Sequence, residues 1–185
     1  SELLENDGYT INIANEVEGF LFKGRNAEQE YAETGQFEVV THGGYYHSLP
    51  ADPLRLFIDS VAEIQRALGF HNEKDHPEVA PSQFEINYSY ADALIAADQV
   101  QLYKLVARQV AYLNNYTASF LPKPIAGVNG SGMHTNISLS KNGENLFYDA
   151  TGKNKISDVG WTFIDNILSR AHDICLVLNS SVNSY

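Results

Sequence analysis

Polar and apolar positions alternate loosely along residues 10–22, TINIANEVEGFLF, with Ile11, Ile13, Phe20 and Phe22 among the apolar set. A period near two predicts a strand. Residues 23–50 are polar and Gly-rich, so they read as a long surface connection with at most one short strand. Leu54, Phe57, Ile58, Val61, Ile64 and Leu68 recur at spacings of three and four, which is one face of a helix over 52–69. Asp52 suits its N-cap, Pro53 its first position and Gly69 its C-terminal end. Residues 83–88 alternate as a strand. A long helix follows over 91–113, with Leu94, Ala97, Val100, Leu102, Leu105, Val106, Val110 and Leu113 as its buried side. Ser119-Phe120-Leu121 opens another strand, stopped by Pro122-Lys123-Pro124. After a Gly-rich turn at 127–132, Met133, Thr135, Ile137 and Leu139 share one side of a strand. His134, Asn136 and Ser138 share the other. Asn142-Gly143 is a hairpin signal that returns through Leu146-Phe147-Tyr148, and a last helix covers 158–178. Antiparallel signals mixed with helices give an α+β fold.

Charge narrows the function. Among 185 residues, 23 are Asp or Glu against 12 Lys or Arg, a net charge of -11. So acidic a surface repels phosphate backbones and anionic lipid, so neither nucleic acid nor membrane is an expected partner. It is compatible with divalent cations. No apolar run approaches the ~20 residues of a membrane span, and no basic-then-apolar leader is visible. The expected compartment is the cytoplasm. Cys175 is the one cysteine, so an intrachain disulfide and a multi-cysteine zinc site are both excluded.

Three constellations carry chemistry. In Glu16-Val17-Glu18 both carboxylates point to one face of a strand; alone, the pair is accounted for by two exposed glutamates. Glu78-Val79-Ala80-Pro81-Ser82-Gln83-Phe84-Glu85 sets one glutamate in a proline-shaped loop and one in a strand, again unremarkable by itself. In Asn129-Gly130-Ser131-Gly132-Met133-His134 a Gly-rich turn feeds a histidine into a strand. It is neither a phosphate-binding P-loop nor a nucleophile elbow. Taken together, four glutamates and one imidazole form an oxygen-rich set that suits Mg²⁺ or Mn²⁺, metals that serve phosphoryl transfer. His172 and Cys175 are three apart on a helix, yet the apolar run around Cys175 points to an inert thiol. His42-Gly43-Gly44 has the look of an oxyanion-hole loop without a matching nucleophile.

The segments EVAPSQFE (78–85), LPKPIA (121–126), NGSGMHTNISL (129–139) and NGENLFYD (142–149) resemble glutamine synthetase, in the order that family has them. The resemblance implies a catalytic-domain portion built as an incomplete antiparallel barrel backed by helices, spanning residues 1–185. The N-terminal domain and the arginine-rich C-terminal part would lie outside it. It implies ATP-dependent ligation of ammonia to glutamate through a γ-glutamyl phosphate, with the excised portion inactive alone. By matching position, Glu18, Glu78 and Glu85 would hold one metal, and Glu16 and His134 a second, nearer the ATP phosphates. Asn129 and Gly130 would bind glutamate and Ser138 the nucleotide. Mg²⁺ or Mn²⁺ and ATP are the implied cofactor and co-substrate. A large homo-oligomer with sites at subunit interfaces is the implied assembly. Three departures bear on substrate choice: Ala14-Asn15-Glu16-Val17-Glu18-Gly19-Phe20 keeps both glutamates of the family pattern but not their usual neighbours, Ser82 stands where the family usually has Gly, and Asn136 where many members have a second His. The alternatives are a γ-glutamyl-amine ligase of the same superfamily and a non-catalytic structural homologue.

Overall fold

The computed structural model describes residues 7–50, 52–179 and 181–184. Its spine is β1 (Tyr9–Lys23), which pairs antiparallel with four other strands. One edge of β1 takes β4 (Ala91–Asp92) at Asn12–Ile13 and β3 (Gln83–Tyr88) at Glu16–Phe20. The other edge takes β6 (Met133–Lys141) along Tyr9–Val17 and β5 (Tyr116–Ser119) along Phe20–Lys23. Beyond β3 lies β2 (Asn72–Pro77), and beyond β6 the two-residue β7 (Glu144–Asn145). This open, all-antiparallel sheet backed by helices is the expected α+β architecture.

The strand β1 changes character along one face. Its odd positions Val17 and Leu21 join Phe84, Ile86 and Tyr88 of β3 in the main core. That core is closed by α2 (Leu54–Ala67) and α3 (Ala93–Leu113). Its even positions carry Glu16 and Glu18, then Phe20 and Phe22, which form a second small core with Ala27 and Ala80. The loose alternation in the sequence is thus two alternations of opposite facing, with the carboxylates and the second core sharing the face away from α2 and α3.

The ends of α2 lie one residue inside expectation, with Pro53 at the N-cap and Leu68 at the C-cap. Asp52 Oδ1 accepts from the Leu54 N–H at 2.9 Å, and Gly69 takes φ +89° just past the helix end. Asp92 caps α3 by accepting from the Leu94 N–H. In the β6–β7 turn, Asn142 and Gly143 both have positive φ, the signature of a tight hairpin.

Five expectations need correction, and one strand stands where no element is expected. The 23–50 connection contains a helix, α1 (Ala27–Thr34), of which only Ala27 is buried; its apolar content is too low to show a stripe. Residues 72–77 form β2, whose polar sequence NEKDHP suits the outer edge of a sheet. The α3 core face is Ala96, Val100, Tyr103, Val106, Ala107, Val110 and Ala111, whereas Leu94, Leu102, Leu105 and Leu113 are exposed. Strand β5 ends at Ser119 instead of starting there. The return from the hairpin stays in strand form only through Asn145. The last helix is two, α4 (Asp158–Ser169) and α5 (Ala171–Leu178), broken at Arg170 with φ -110° and ψ 15°.

Candidate active site

Antiparallel pairing sets directly opposed residues on the same face. One row across the sheet reads Glu18, Glu85, His76, through β1, β3 and β2. The next row on that face reads His134, Glu16, Asn87, Lys74, through β6, β1, β3 and β2. Register alone therefore brings together four of the five predicted metal residues: Glu16, Glu18, Glu85 and His134. Glu78 joins them from the turn after β2, where its backbone N–H bonds the Gln83 carbonyl at 2.7 Å.

His76, which no motif or period in the sequence marks, belongs to this group. It is buried and stands two residues before Glu78. Its Nδ1 lies 3.0 Å from the Pro77 carbonyl and 3.7 Å from Glu78 Oε1, and its Nε2 lies 3.3 Å from Glu85 Oε2. Nε2 makes no hydrogen bond among the described residues, although the Glu85 oxygen is close. One ligand atom each from His76, Glu78 and Glu85 fits within 4.8 Å of the others. A buried ring nitrogen without a partner beside two carboxylates is what a divalent cation would complete, so the residues present fit such an ion.

The His42-Gly43-Gly44 loop also lies here through the two tyrosines that follow it. Tyr46 stacks on the His76 ring at 4.1 Å between centroids, with Tyr45 edge-on at 5.4 Å. The Tyr46 N–H donates to the Pro77 carbonyl at 3.1 Å. Ser82 Oγ holds the base of that loop by accepting from the Val40 and Thr41 N–H groups at 2.6 and 3.0 Å.

Glu18 is the junction of three segments. Its Oε2 accepts from Gln83 Nε2 at 3.0 Å and from the Gly132 N–H at 2.9 Å. Gln83 Nε2 also donates to the Gly130 carbonyl at 2.9 Å. A side chain at Gly130 would put its Cβ 2.5 Å from the Pro122 carbonyl oxygen, so this close crossing requires glycine. Asn129, beside it, is exposed. Ser138 pairs with Asn12, four positions along β6 from His134 on the same face, or about 13 Å.

Electrostatics follow from the crowding. Burial raises the Glu18 carboxyl; the Gly132 N–H opposes this, Glu85 and Glu16 add to it, and His134 lowers it. The Glu78 carboxyl is pushed up to about 7, first by burial, with the Val79 N–H opposing and Glu85 and Glu18 reinforcing. The raised carboxyls of Glu18 and Glu78 mark a site that a cation would relieve. His172 and Cys175 play no part in it: Cys175, half-buried, accepts from Asn179 Nδ2 at 3.3 Å.

Comparison with known proteins adds lineage to this geometry. Residues 1–185 match a family model described as the catalytic domain of glutamine synthetase. The glutamine synthetase of Methanosarcina mazei is 40% identical over 184 residues, covering 98% of this chain and 39% of that protein. That of Staphylococcus epidermidis is 41% identical over 186 residues, covering 98% and 40%. The chain thus spans about two-fifths of the length of the curated relatives it matches. Among solved structures, Plasmodium falciparum glutamine synthetase superposes with a TM-score of 0.85 at 26% identity, over all of this chain and 41% of that one. A GmaS/ADP complex superposes at 0.82 and 29% identity, over all of this chain and 42% of that one.

Proposed function

The chain belongs to the glutamine synthetase family, and from that premise we propose that it is a catalytic-domain portion of an ATP-dependent glutamate–ammonia ligase. The substrate's γ-carboxylate oxygen attacks the terminal phosphorus of ATP and ADP leaves. Ammonia then attacks the acyl carbon of the γ-glutamyl phosphate, the C–O bond to phosphate breaks, and the nitrogen's surplus proton leaves with the phosphate.

The supporting observation is the pair of cross-sheet rows that gather Glu18, Glu85 and His76 beside Glu16 and His134, with Glu78 joining from the turn. Glu18, Glu78 and Glu85 would hold one divalent cation, with His76 against it. Glu16 and His134 would hold a second, nearer the nucleotide. Mg²⁺ or Mn²⁺ in these positions would offset charge on phosphate oxygens and polarise the acyl acceptor. The chain's own groups do the positioning. The Gly130–Gly132 backbone and Gln83 fix Glu18, and Tyr46 fixes the His76 ring. We assign Asn129 and Gly130 to the substrate glutamate and Ser138 to the nucleotide. We assign the intact protein to a large cytoplasmic homo-oligomer whose sites lie at subunit interfaces.

Calorimetric titration of the chain with Mn²⁺ tests the cation site. We expect saturable binding that Glu85→Ala weakens at least tenfold, by the usual scale for a lost ligand or its support. No uptake at millimolar Mn²⁺ would overturn the reading. In the intact protein, glutamine formation from glutamate, ammonia and ATP is expected. Preference for methylamine over ammonia would reassign it as a γ-glutamyl-amine ligase.

A further inference from the structure

Each glutamate on the strands of the candidate site accepts a hydrogen bond from one neutral amide side chain. Gln83 Nε2 donates to Glu18 Oε2 at 3.0 Å, Asn87 Nδ2 to Glu85 Oε1 at 2.8 Å, and Asn136 Nδ2 to Glu16 Oε1 at 3.0 Å. A carboxylate accepts and never donates, so the NH₂ end of each amide must face its glutamate. One oxygen of each carboxylate is thereby engaged. The other, Glu18 Oε1, Glu85 Oε2 or Glu16 Oε2, accepts from no N–H or hydroxyl donor among the described residues, although the Glu78 carboxyl lies against Glu85. Glu85 Oε2 instead turns to the unpartnered His76 Nε2, 3.3 Å away in a residue only 1% exposed.

Asn87 is the most telling of the three. It is 7% exposed, and its Oδ1 is buried with no partner among the described residues. A buried carbonyl left unsatisfied is destabilising. A side chain retained on those terms is explained by its donor end, which reaches Glu85. Asn136 is exposed on β6, so core packing does not account for its contact with Glu16.

We propose that Gln83, Asn87 and Asn136 are positioning residues that preset the rotamers of Glu18, Glu85 and Glu16, leaving one oxygen of each free for a divalent cation. This rests on the cation site proposed above. Neutral donors suit the task. A lysine or arginine in their place would neutralise the carboxylates and compete with the cation, whereas an amide orients them and leaves their charge intact.

The test is Mn²⁺ titration calorimetry of the chain and of Asn87→Leu, Asn136→Ala and Asn136→His, with thermal unfolding of each in EDTA. Loss of an orienting partner lowers metal affinity about 10- to 100-fold, so Asn87→Leu and Asn136→Ala should each bind at least tenfold more weakly. Their metal-free unfolding midpoints should hold or rise. Asn136→His, which keeps an N–H donor, should stay within about threefold of the parent, a rescue that a merely structural role would not give. Asn136→Ala is an exposed change, so it keeps the test open if Asn87→Leu fails to fold. Parent-like affinity in Asn136→Ala and in any folded Asn87→Leu, with Glu85→Ala still defective, would overturn this inference alone. A parent chain that takes up no Mn²⁺ would overturn it together with the reading on which it rests.

Discussion

The Glu78 carboxyl faces two other carboxylates, Glu85 and Glu18, in a partly desolvated turn, and it holds its proton to about pH 7. An unfolded chain would release that proton near 4.5, the ordinary value. The folded state therefore binds more protons between these limits, so stability from this group is full below about 4.5 and falls as pH rises toward 7. Metal-free chain should have a lower unfolding midpoint at pH 8 than at pH 5.5, and Glu78→Gln should flatten the difference. A cation in the site reverses the preference, because it competes with the proton for the same oxygens. Mn²⁺ affinity should rise with pH and level off above 7. At pH 6 the binding heat should depend on the buffer's ionisation enthalpy, through the proton released. Buffer-independent heats at pH 6 would show that Glu78 binds no proton there or gives none up.

At the scale of elements, the turn between β2 and β3 depends on one side chain. Ser82 is fully buried and sits at φ +59°, a left-handed conformation uncommon for a residue with a Cβ. Its hydroxyl compensates by accepting from Val40 and Thr41, which pins the loop that lays Tyr46 on His76. Ser82→Ala keeps the backbone strain and loses both bonds, a destabilisation of about 1–3 kcal/mol. Ser82→Gly loses the same bonds but relieves the strain, so it should be the milder change by about 1 kcal/mol. Denaturant unfolding of both variants measures that difference. Equal midpoints would mean that the turn stores no strain. The same turn shows how far the sequence was legible. The strands β1 and β3 and the helix α2 announce themselves because a period meets a core, β6 by alternation alone, since none of its residues is buried, and α3 by its length and apolar content. The carboxylate clusters were found because residue type limits their chemistry. His76 escaped because it stands in an edge strand of charged residues, where alternation has no apolar partner to reveal it. The facing of α3 escaped for the opposite reason. That helix is apolar on two sides, and packing selects between them, burying Tyr103, whose hydroxyl lies 3.4 Å from the Val17 carbonyl, together with small residues such as Ala107 and Ala111.

At the scale of the whole molecule, apolar surface is divided unevenly. The sheet and α2–α3 enclose a core in which Tyr103, Phe84, Leu54 and Ile58 are fully buried. By contrast, α4 and α5 present Leu168, Leu176, Val177 and Leu178 at 70–80% exposure. The contacts that anchor the end of this segment are polar: Lys123 N–H to Asn183 Oδ1 at 2.7 Å, and Asn183 Nδ2 to the Lys123 carbonyl at 2.9 Å. Covering a side chain of this kind removes about 1.5–3 kcal/mol of unfavourable hydration. Four in one region exceed what a monomer commonly leaves bare. A net charge of -11 opposes association between copies, but that repulsion is screened beyond about 8 Å at 0.15 M salt, whereas apolar contact is not. Association should therefore grow with protein concentration and with added salt. Leu176→Glu with Leu168→Glu should restore a monomer by multi-angle light scattering at the same concentration. A concentration-independent monomer of the parent chain at high salt would mean that α4 and α5 fold back to cover this surface in solution.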